Sequence, residues 1–287
     1  TCASWCSSPR ASAAGRKMPE LKPDLETLVH HVQASDRYSA ISPELVRALL
    51  AAELGKRRSP KEAVKAARTK LHQAAGVYQQ RTIPYTALEN ELDQLPPDLA
   101  DPAVQEFLRR AMGFHSSTRE RLPILPRFFN ETLASLGSIH SILDVACGLN
   151  PLAIPWMPLE PCFHYTACDI YSDMIAFLDH YIDKFTIHGS ALVCDITNCV
   201  PPVRADLALV LKTLPCLEQL DKEIGSRLLE QLDCPNVLVS FPAQSLSGRS
   251  KGMPRFYENH FNDLLSGKDW RVTRLEFPGE LAFLVQK

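Results

Sequence analysis

The chain has 287 residues, of which 45% are hydrophobic and 22% charged, and its formal net charge at pH 7 is −2. This composition is ordinary for a globular cytoplasmic protein, and the length allows one substantial α/β domain plus a smaller helical one. The sequence lacks a run of about eighteen apolar residues, which excludes a membrane-spanning helix.

The cysteines argue against a disulfide framework. They are nine in number and scattered, and none forms a CxxC pair or lies beside histidines at the spacing of metal ligands. Several fall within apolar runs, where a thiol acts as a small hydrophobic group. We therefore expect a reducing, cytoplasmic compartment and no bound metal.

Residues 1–17 have the composition of a leader. They are small and polar, they show no periodicity, and they lack the apolar centre of a secretory signal. Met18 is a candidate natural start, and we expect the preceding stretch to be disordered and to take no part in the fold.

Residues 18–112 are predicted to form an all-helical domain. Ser42 followed by Pro43 is a typical helix start, and Ser59 with Glu62 has the spacing of a capping box. The predicted helices are 43–55, 60–75, 85–94 and 101–112.

Charge is segregated within this helical region. Residues 47–81 contain nine Lys or Arg and two acids, whereas residues 82–106 contain six acids and no Lys or Arg. Lys61, Lys65 and Arg68 follow one helix face, and the Lys56-Arg57-Arg58 turn extends the same patch. A solvated helix face is one interpretation, and a basic surface that binds an RNA backbone is the other.

A turn-rich segment connects the two predicted domains. Ser117 and Glu120 have the spacing of a second capping box, and Pro123 and Pro126 predict that no regular helix runs through them unbent. We place the start of the second domain at residue 113.

From Ile139 onward, short apolar or β-branched runs alternate with helical segments. This alternation predicts a parallel sheet with helical crossovers. Phe277-Pro278-Gly279 separates the last two runs and suits a tight antiparallel connection. The predicted strands are 139–145, 163–168, 190–194, 206–211, 236–241, 270–276 and 280–286. A seven-stranded, mostly parallel sheet that ends in an antiparallel hairpin is the Rossmann-like layout of class I methyltransferases, which we assign to residues 113–287.

The strongest local signal is the segment 141–151, SILDVACGLNP. An apolar strand ends near Asp144, and a turn containing Gly148 leads into the next helix, so the backbone there can approach a ligand closely. Ala146 and Asn150 stand where the dinucleotide motif GxGxxG requires glycine. This disfavours a pyrophosphate ligand and a nicotinamide dehydrogenase, and it favours a cofactor without phosphate, such as a methionine-derived sulfonium.

Two further aspartates end the next two predicted strands. Asp169 could accept hydrogen bonds from a ribose diol, and Asp195 could accept one from an adenine amino group, with Ile196 beneath the ring. Each alone could instead be a helix N-cap. Three aspartates at strand ends along one sheet edge favour a shared binding site.

Four segments resemble a known family: HSSTRERL (115–122), DVACGLNP (144–151), LKTLP (211–215) and SFPAQSLSGRSKGM (240–253). They are similar to the aminoglycoside-resistance 16S rRNA guanine-N7 methyltransferases, and the similarity extends from about Asp24 to Lys287. The resemblance implies transfer of a methyl group from S-adenosylmethionine to N7 of guanine 1405. The implied target is the decoding region of the assembled 30S subunit, the product is S-adenosylhomocysteine, and the enzyme is a cytoplasmic monomer.

The resemblance also implies roles for individual residues. Arg121 would hold the cofactor's carboxylate, Lys212 would lie near the methyl group, and Met253 near the target guanine. The implied cofactor-binding residues are His115, Ser117, Arg121, Asp144, Ala146, Gly148, Asp169, Ile170, Asp195, Ile196, Leu211 and Lys212. The expected RNA-binding residues are Lys56, Arg57, Arg58, Lys61, Arg68, Arg249, Lys251, Met253 and Arg255.

Three positions depart from the family's pattern. Ser247 stands where many relatives have glycine, Thr213 where leucine is usual, and Gln244 where arginine is common. The resemblance implies that the loop 245–253 covers the target guanine, so these departures bear on the geometry of that loop and on RNA contacts rather than on the cofactor.

The implied chemistry needs no general base, because N7 of neutral guanine carries a lone pair and no proton. We therefore interpret Cys147, beside the cofactor loop, as a packing residue. Two alternatives stay open: a methyltransferase of another RNA position or of a small molecule, and a non-catalytic RNA-binding protein.

Overall fold

The computed structural model describes residues 24–56, 59–74, 82–243 and 252–287. The α-helices are α1 (Leu25–Gln33), α2 (Pro43–Gly55), α3 (Pro60–Ala74), α4 (Tyr85–Asp93), α5 (Pro102–Met112), α6 (Ser116–Arg121), α7 (Leu125–Leu133), α8 (Ser172–Lys184), α9 (Leu214–Leu217), α10 (Ile224–Gln231) and α11 (Met253–Leu264). Two 3-10 helices cover Leu122–Ile124 and Asn150–Trp156. The strands are β1 (Ser141–Val145), β2 (His164–Asp169), β3 (His188–Val193), β4 (Leu207–Leu211), β5 (Asn236–Pro242), β6 (Arg271–Phe277) and β7 (Glu280–Gln286).

The seven strands form one sheet in the order β3-β2-β1-β4-β5-β7-β6. Pairing is parallel from β3 to β5, and β7 is antiparallel to both β5 and β6. The predicted fold class is therefore confirmed. Chain order reverses between β1 and β4, and ligands of open α/β sheets bind at such a point, outside the carboxyl ends of the strands.

Apolar side chains alternate between the two faces of the central strands and build two cores. One face carries Leu207, Leu209 and Leu211 of β4 and packs with the N-terminal helices, α7 and α8. The other carries Ala208 and Val210 and packs with α10 and Phe261 of α11. Burial on both faces leaves the carboxyl ends of the strands as the surface where polar residues can gather.

The helical region packs on the sheet domain through main-chain and side-chain contacts. α4 lies against α8, and α5 against the 3-10 helix at 150–156. The Ser42 amide donates to the Ile170 carbonyl at 2.8 Å, and the Ser172 amide donates to the Ala40 carbonyl at 2.8 Å. These bonds tie the N-terminal helices to the end of β2, next to Asp169. The domain boundary at residue 112 stays a prediction.

Helix ends test the capping predictions. Ser59 and Glu62 form the predicted capping box: the Ser59 amide donates to the Glu62 carboxylate at 3.0 Å, and the Glu62 amide donates to the Ser59 hydroxyl at 3.3 Å. The second predicted box, at Ser117 and Glu120, is wrong. α6 begins at Ser116 with no side-chain cap, and the Glu120 carboxylate accepts from Lys212 instead.

Three other local expectations are refined. The bend predicted by Pro123 and Pro126 is confirmed, because a 3-10 turn separates α6 from α7. The helix after the Gly148 turn is of the 3-10 type and contains Pro155. β3 ends at Val193, so Asp195 lies two residues beyond the strand instead of closing it. None of the described helices is long and apolar enough to cross a lipid bilayer.

Candidate cofactor site at the carboxyl edge of the sheet

Residues in or next to five strands meet at the carboxyl edge of the sheet. Asp144 lies in β1 and pairs in register with Ala167 of β2, and Lys212 follows β4 directly. β7 is antiparallel, so it begins at this edge, and its first residue, Glu280, pairs with Pro242 at the end of β5. The topology thus brings charged residues from distant parts of the chain together.

The turns at this edge have unusual backbone conformations. Ala146 (φ 50°) and Lys212 (φ 58°) are non-glycine residues in the left-handed region, and Gly148 (φ 54°) shares it. Hydrogen bonds hold these turns: the Cys147 amide donates to the Cys168 carbonyl at 3.0 Å, and the Lys212 amide donates to the Ser240 carbonyl at 2.9 Å. Such conformations cluster at binding sites because surrounding structure must maintain them.

Gly148 is required by the ring of His115. A Cβ added at Gly148 would lie 2.7 Å from Cε1 of His115, which is closer than real side chains approach. Burial, reinforced by the nearby cations Arg121, Lys212 and Arg119, lowers the pKa of His115 to about 4. The imidazole is therefore neutral at pH 7 and lies against the turn at Gly148.

Asp169 organises the same turn. Its carboxylate accepts from the Gly148 amide at 3.0 Å and from the Ile170 amide at 2.7 Å. Burial raises its pKa above the ordinary value, although hydrogen bonds from these two amides and from Tyr171 oppose the shift. An acceptor held in this way at the end of β2 can also receive hydrogen bonds from two neighbouring hydroxyl groups.

Asp195 has an unused acceptor. Its Oδ1 accepts from the Thr197 amide at 3.0 Å and from the Thr197 hydroxyl at 2.6 Å. Its Oδ2 is buried and has no hydrogen-bond partner within the described part of the chain. A buried oxygen without a donor is costly unless a ligand supplies one, so the residue fits a ligand with an N–H group. Ile196, beside it, is buried.

Arg121 forms a buried ion pair with Glu280, a residue that the sequence analysis did not predict to be part of the site. Its Nη2 donates to Glu280 Oε1 at 2.7 Å, and its Nε contacts both Glu280 oxygens at 3.1 Å. Each side chain is only 1% exposed. Burial by itself would raise the pKa of Glu280, but the Arg121 and Lys212 cations lower it below its ordinary value.

Lys212 belongs to the same charged cluster. Its ammonium lies 2.7 Å from Glu120 and 3.4 Å from Glu280, and the side chain is fully buried. The Ser240 hydroxyl donates to Glu280 at 2.6 Å. Glu120, Ser240 and Glu280 were missed in the sequence. A carboxylate that opens the otherwise apolar segment ELAFLVQ at 280–286 was the one available signal.

Two of the remaining predicted cofactor residues also lie at this edge. Ile170 directly follows β2, and Ser117 is buried in α6. Leu211 is the last residue of β4 and is buried. Burial raises the pKa of the Cys147 thiol well above its ordinary value, so the thiol stays protonated, in keeping with a packing role. Among the described residues, no group of His, Cys, Asp or Glu could hold a metal ion.

The predicted RNA-binding residues lie in two places. Lys61 and Arg68 are on α3, and Lys56 follows α2, where it pairs with Glu53 at 3.0 Å. Met253 begins α11 and Arg255 is exposed on its first turn. The remaining predicted RNA-binding residues and two of the departures lie outside the described residues: Arg57, Arg58, Gln244, Ser247, Arg249 and Lys251. Thr213, the third departure, is buried at the start of α9.

A cavity of about 800 Å³ lies between α1 and α3. Among the described residues that line it, none is acidic. Six are lysine, arginine or histidine: His31, Arg37, Lys61, Lys65, Arg68 and His72. Arg68 donates to the His31 carbonyl at 2.8 Å, and its Nε is buried without a partner in the described chain. The cavity therefore combines a largely apolar lining with basic side chains.

A family model for ribosomal RNA methyltransferase (FmrO) matches residues 34–284. The chain belongs to this ribosomal RNA methyltransferase family. Two relatives carry the name 16S rRNA (guanine(1405)-N(7))-methyltransferase. The one from Micromonospora echinospora is 37% identical over 89% of this chain and 94% of its own length. The one from Serratia marcescens is 31% identical over 89% of this chain and 96% of its own length.

Solved structures agree with the family assignment. The 16S rRNA methyltransferase RmtF, in complex with S-adenosyl-L-homocysteine, superposes with a TM-score of 0.77 and 29% identity, covering 94% of this chain and 99% of that one. The 16S rRNA methylase RmtB superposes with a TM-score of 0.76 and 26% identity, covering 92% and 98%. The fold is therefore that of the Rossmann-like, S-adenosylmethionine-dependent RNA methyltransferases.

Asp144, a member of the site, predicts a pH effect on stability. Burial raises its pKa to about 7, although hydrogen bonds from Asn150 and Tyr165 favour the charged form. The folded protein then holds this proton more tightly than the unfolded chain, so the stabilisation present at low pH is lost as pH rises from about 4 to 7. Asp144→Asn removes the titration. The free energy of unfolding of the variant minus that of wild type should therefore increase as pH rises, by at most about 1.4 kcal/mol per pH unit.

Urea unfolding at several pH values between 4 and 7 measures this difference. His115 titrates in both proteins, so its opposite contribution cancels when the two curves are subtracted. Parallel curves for variant and wild type would show that Asp144 is ionised throughout this range.

Proposed function

We propose that this protein transfers a methyl group from S-adenosylmethionine to N7 of guanine 1405 in 16S rRNA and so confers aminoglycoside resistance. The observation that supports the proposal is the arrangement of Asp169 at the end of β2 and Asp195 just beyond the neighbouring β3, with a buried Asp195 oxygen that lacks a donor among the described residues. Membership of the ribosomal RNA methyltransferase family and the names of the relatives support the reaction and the target.

The residues present fit the cofactor. Asp169 would accept hydrogen bonds from the ribose hydroxyls and Asp195 Oδ2 from the adenine amino group. Ile170, Ile196 and Leu211 would surround the adenine ring with apolar contacts. At the other end, Arg121 would bind the carboxylate. His115, Ser117, Ala146 and Gly148 would complete the pocket for the methionine portion.

The chain's own contribution to the reaction is alignment. The bound cofactor supplies an electrophilic methyl group on a sulfonium, and neutral guanine N7 has no proton that a base would need to remove. Rigid turns at Ala146, Gly148 and Lys212 position the reacting groups, and orientation of this kind is worth on the order of 7–11 kcal/mol. The carboxylates Glu120 and Glu280 pair with the buried Lys212 ammonium and fix its position.

Expression in a susceptible bacterium tests the function directly. We expect gentamicin and kanamycin resistance, together with a stop at guanine 1405 when primer extension crosses the decoding site after cleavage at N7-methylguanine. Labelled cofactor should be transferred to intact 30S subunits rather than to naked 16S rRNA or to a metabolite pool. Label at another nucleotide, label in a small molecule, or RNA binding without transfer would each establish a different function.

We further infer that the enzyme acts in the cytoplasm as a monomer and docks on the 30S subunit through its helical region. The cavity between α1 and α3 would hold backbone phosphates, because basic side chains line it and the Arg68 Nε lacks a partner in the described chain. Phosphate contacts contribute affinity without reading sequence. Arg255 and Met253, on α11, would continue this surface toward the target nucleotide.

Charge reversal at Lys61 and Lys65 should weaken docking. Both side chains are exposed at the cavity. In the double variant Lys61→Glu, Lys65→Glu we expect affinity for 30S subunits to fall at least about tenfold. The slope of log K against log salt concentration should decrease by about one unit per lost phosphate contact. Filter binding over a salt series measures both quantities.

The matched control reverses two exposed arginines at the opposite, amino edge of the sheet, with Arg204→Glu and Arg271→Glu. This variant has the same change in net charge and should bind subunits as wild type does. Affinity for S-adenosylhomocysteine should be unchanged in both variants. Equal weakening of subunit binding in both would mean that net charge, and not this cavity, drives docking.

A further inference from the structure

A continuous chain of buried hydrogen bonds runs beneath the proposed cofactor site. The Tyr165 hydroxyl donates to Asp144 Oδ2 at 2.7 Å, and Asn150 Nδ2 donates to the same oxygen at 2.9 Å. Asn150 Oδ1 in turn accepts from Arg121 Nη1 at 3.0 Å. Glu280 binds the other side of the guanidinium and is itself held by Ser240.

The orientation of the Asn150 amide follows from its two neighbours. Its NH₂ group can only donate and its carbonyl oxygen can only accept. Asp144 is an acceptor and Arg121 is a donor, so the amide has one arrangement that satisfies both. Asn150 is buried, with 2% of its surface exposed. Asp144 thereby sets the direction in which Asn150 meets Arg121.

Counting the donors of Arg121 shows what these contacts leave available. A guanidinium has five N–H groups. Glu280 engages the Nε proton and one Nη2 proton, and Asn150 engages one Nη1 proton. One proton on each Nη therefore remains without an acceptor among the described residues and is available to a ligand. Two parallel N–H groups match the two oxygens of a carboxylate.

We propose that Asn150 and Glu280 are positioning residues that aim Arg121 at the cofactor's carboxylate. The inference rests on the proposed function, because it assumes that the ligand carries a carboxylate next to Arg121. Phe128 supports the arrangement, with the Arg121 guanidinium carbon 4.9 Å from the centre of its ring. The guanidinium is thus held in its plane by an amide, a carboxylate and an aromatic face.

Two substitutions change the geometry and leave the charge alone. Asn150→Ala removes the acceptor for Nη1, and Glu280→Asp keeps the negative charge but withdraws it from the guanidinium by one methylene. The probes are S-adenosylhomocysteine and its decarboxylated analogue S-adenosyl-3-thiopropylamine, which keeps the ammonium group. Isothermal titration calorimetry measures the affinity of each purified protein for each probe. Comparing one variant with wild type therefore uses four affinities, two for each protein.

We expect each variant to bind S-adenosylhomocysteine about ten- to a hundredfold more weakly, the loss associated with a hydrogen bond to a charged group. Binding of the decarboxylated analogue should change by less than about threefold. Ser240→Ala, which removes the donor to Glu280, should show a smaller loss of the same kind, and it serves if either main variant fails to fold. Glu131→Asp, at the exposed pair with Arg127, is the matched control and should affect neither probe.

Each outcome bears on the inference. Equal weakening for both probes would mean that Asn150 and Glu280 only maintain the fold, and unchanged binding would mean that Arg121 needs no alignment. Equal wild-type affinity for the two probes would show that no carboxylate is bound, which also overturns the inference. Wild-type protein that binds neither probe would instead refute the proposed function itself.

Discussion

Replacing Arg121 by methionine is expected to lower the free energy of unfolding by about 3–5 kcal/mol, the typical cost of breaking a buried ion pair by removing one partner. The two side chains of the Arg121–Glu280 pair are each 1% exposed, so solvent cannot compensate for the lost cation. Lys212, at 3.4 Å, remains as a second cation near Glu280 but does not replace the three contacts that Arg121 makes. Urea unfolding followed by circular dichroism measures the change.

A second substitution separates stability from function at this pair. In the double variant Arg121→Met, Glu280→Leu, both buried charges are replaced by apolar groups, and such replacement is often neutral or stabilising. We expect most of the lost stability to return, while affinity for S-adenosylhomocysteine stays low because the carboxylate has no cation to bind. Arg127→Met, at the exposed pair with Glu131, should cost at most about 1 kcal/mol. A double variant no more stable than Arg121→Met would refute this explanation.

Replacing Asp169 by alanine is expected to weaken S-adenosylhomocysteine binding at least about a hundredfold. The substitution removes the proposed acceptor for two ribose hydroxyls, and hydrogen bonds to charged groups contribute about 1.5–3 kcal/mol each. It also releases the Gly148 and Ile170 amides, which fix the cofactor turn. Calorimetry should show this loss, and methylation of 30S subunits should fall in parallel.

The sheet offers a matched control at its other edge. Asp206 likewise accepts from two backbone amides, those of His140 at 2.8 Å and Ser141 at 2.9 Å. It lies just before β4, at the amino edge, away from the proposed site. Asp206→Ala should therefore leave cofactor affinity unchanged. If both variants bound S-adenosylhomocysteine as wild type does, Asp169 would have only a structural role.

The strands were predictable from the sequence because each one is an apolar run bounded by turn residues. The predicted strand 280–286 and the observed β7 (Glu280–Gln286) coincide, and β1 begins two residues later than predicted. Burial on both faces makes these segments nearly continuous apolar runs, and the turns between them are marked by Gly, Pro and Asp. The capping box at Ser59 and Glu62 was equally predictable, since both partners lie within one helical turn.

Local predictions failed where a residue distant in the sequence bound a side chain that was expected to interact with its own helix. Glu120 has the right spacing to cap α6 with Ser117, yet the buried Lys212 ammonium is a stronger partner than a backbone amide. α1 was not predicted, although Asp24 caps it by accepting from the Thr27 amide. Nine residues are too few for a helix that is stable alone, and α1 depends on its packing against α2 and α3.

The sequence by itself determined the fold class, the family and the three aspartates near the strand ends, because apolar periodicity and short motifs are local properties of the chain. Only the tertiary structure decided that Arg121 meets Glu280, 159 residues away in the chain, since the antiparallel β7 returns to the edge where the parallel strands end. No rule based on residue spacing along the chain predicts the contact between Arg121 and Glu280. It arises because two buried opposite charges can be accommodated only when the sheet places them side by side.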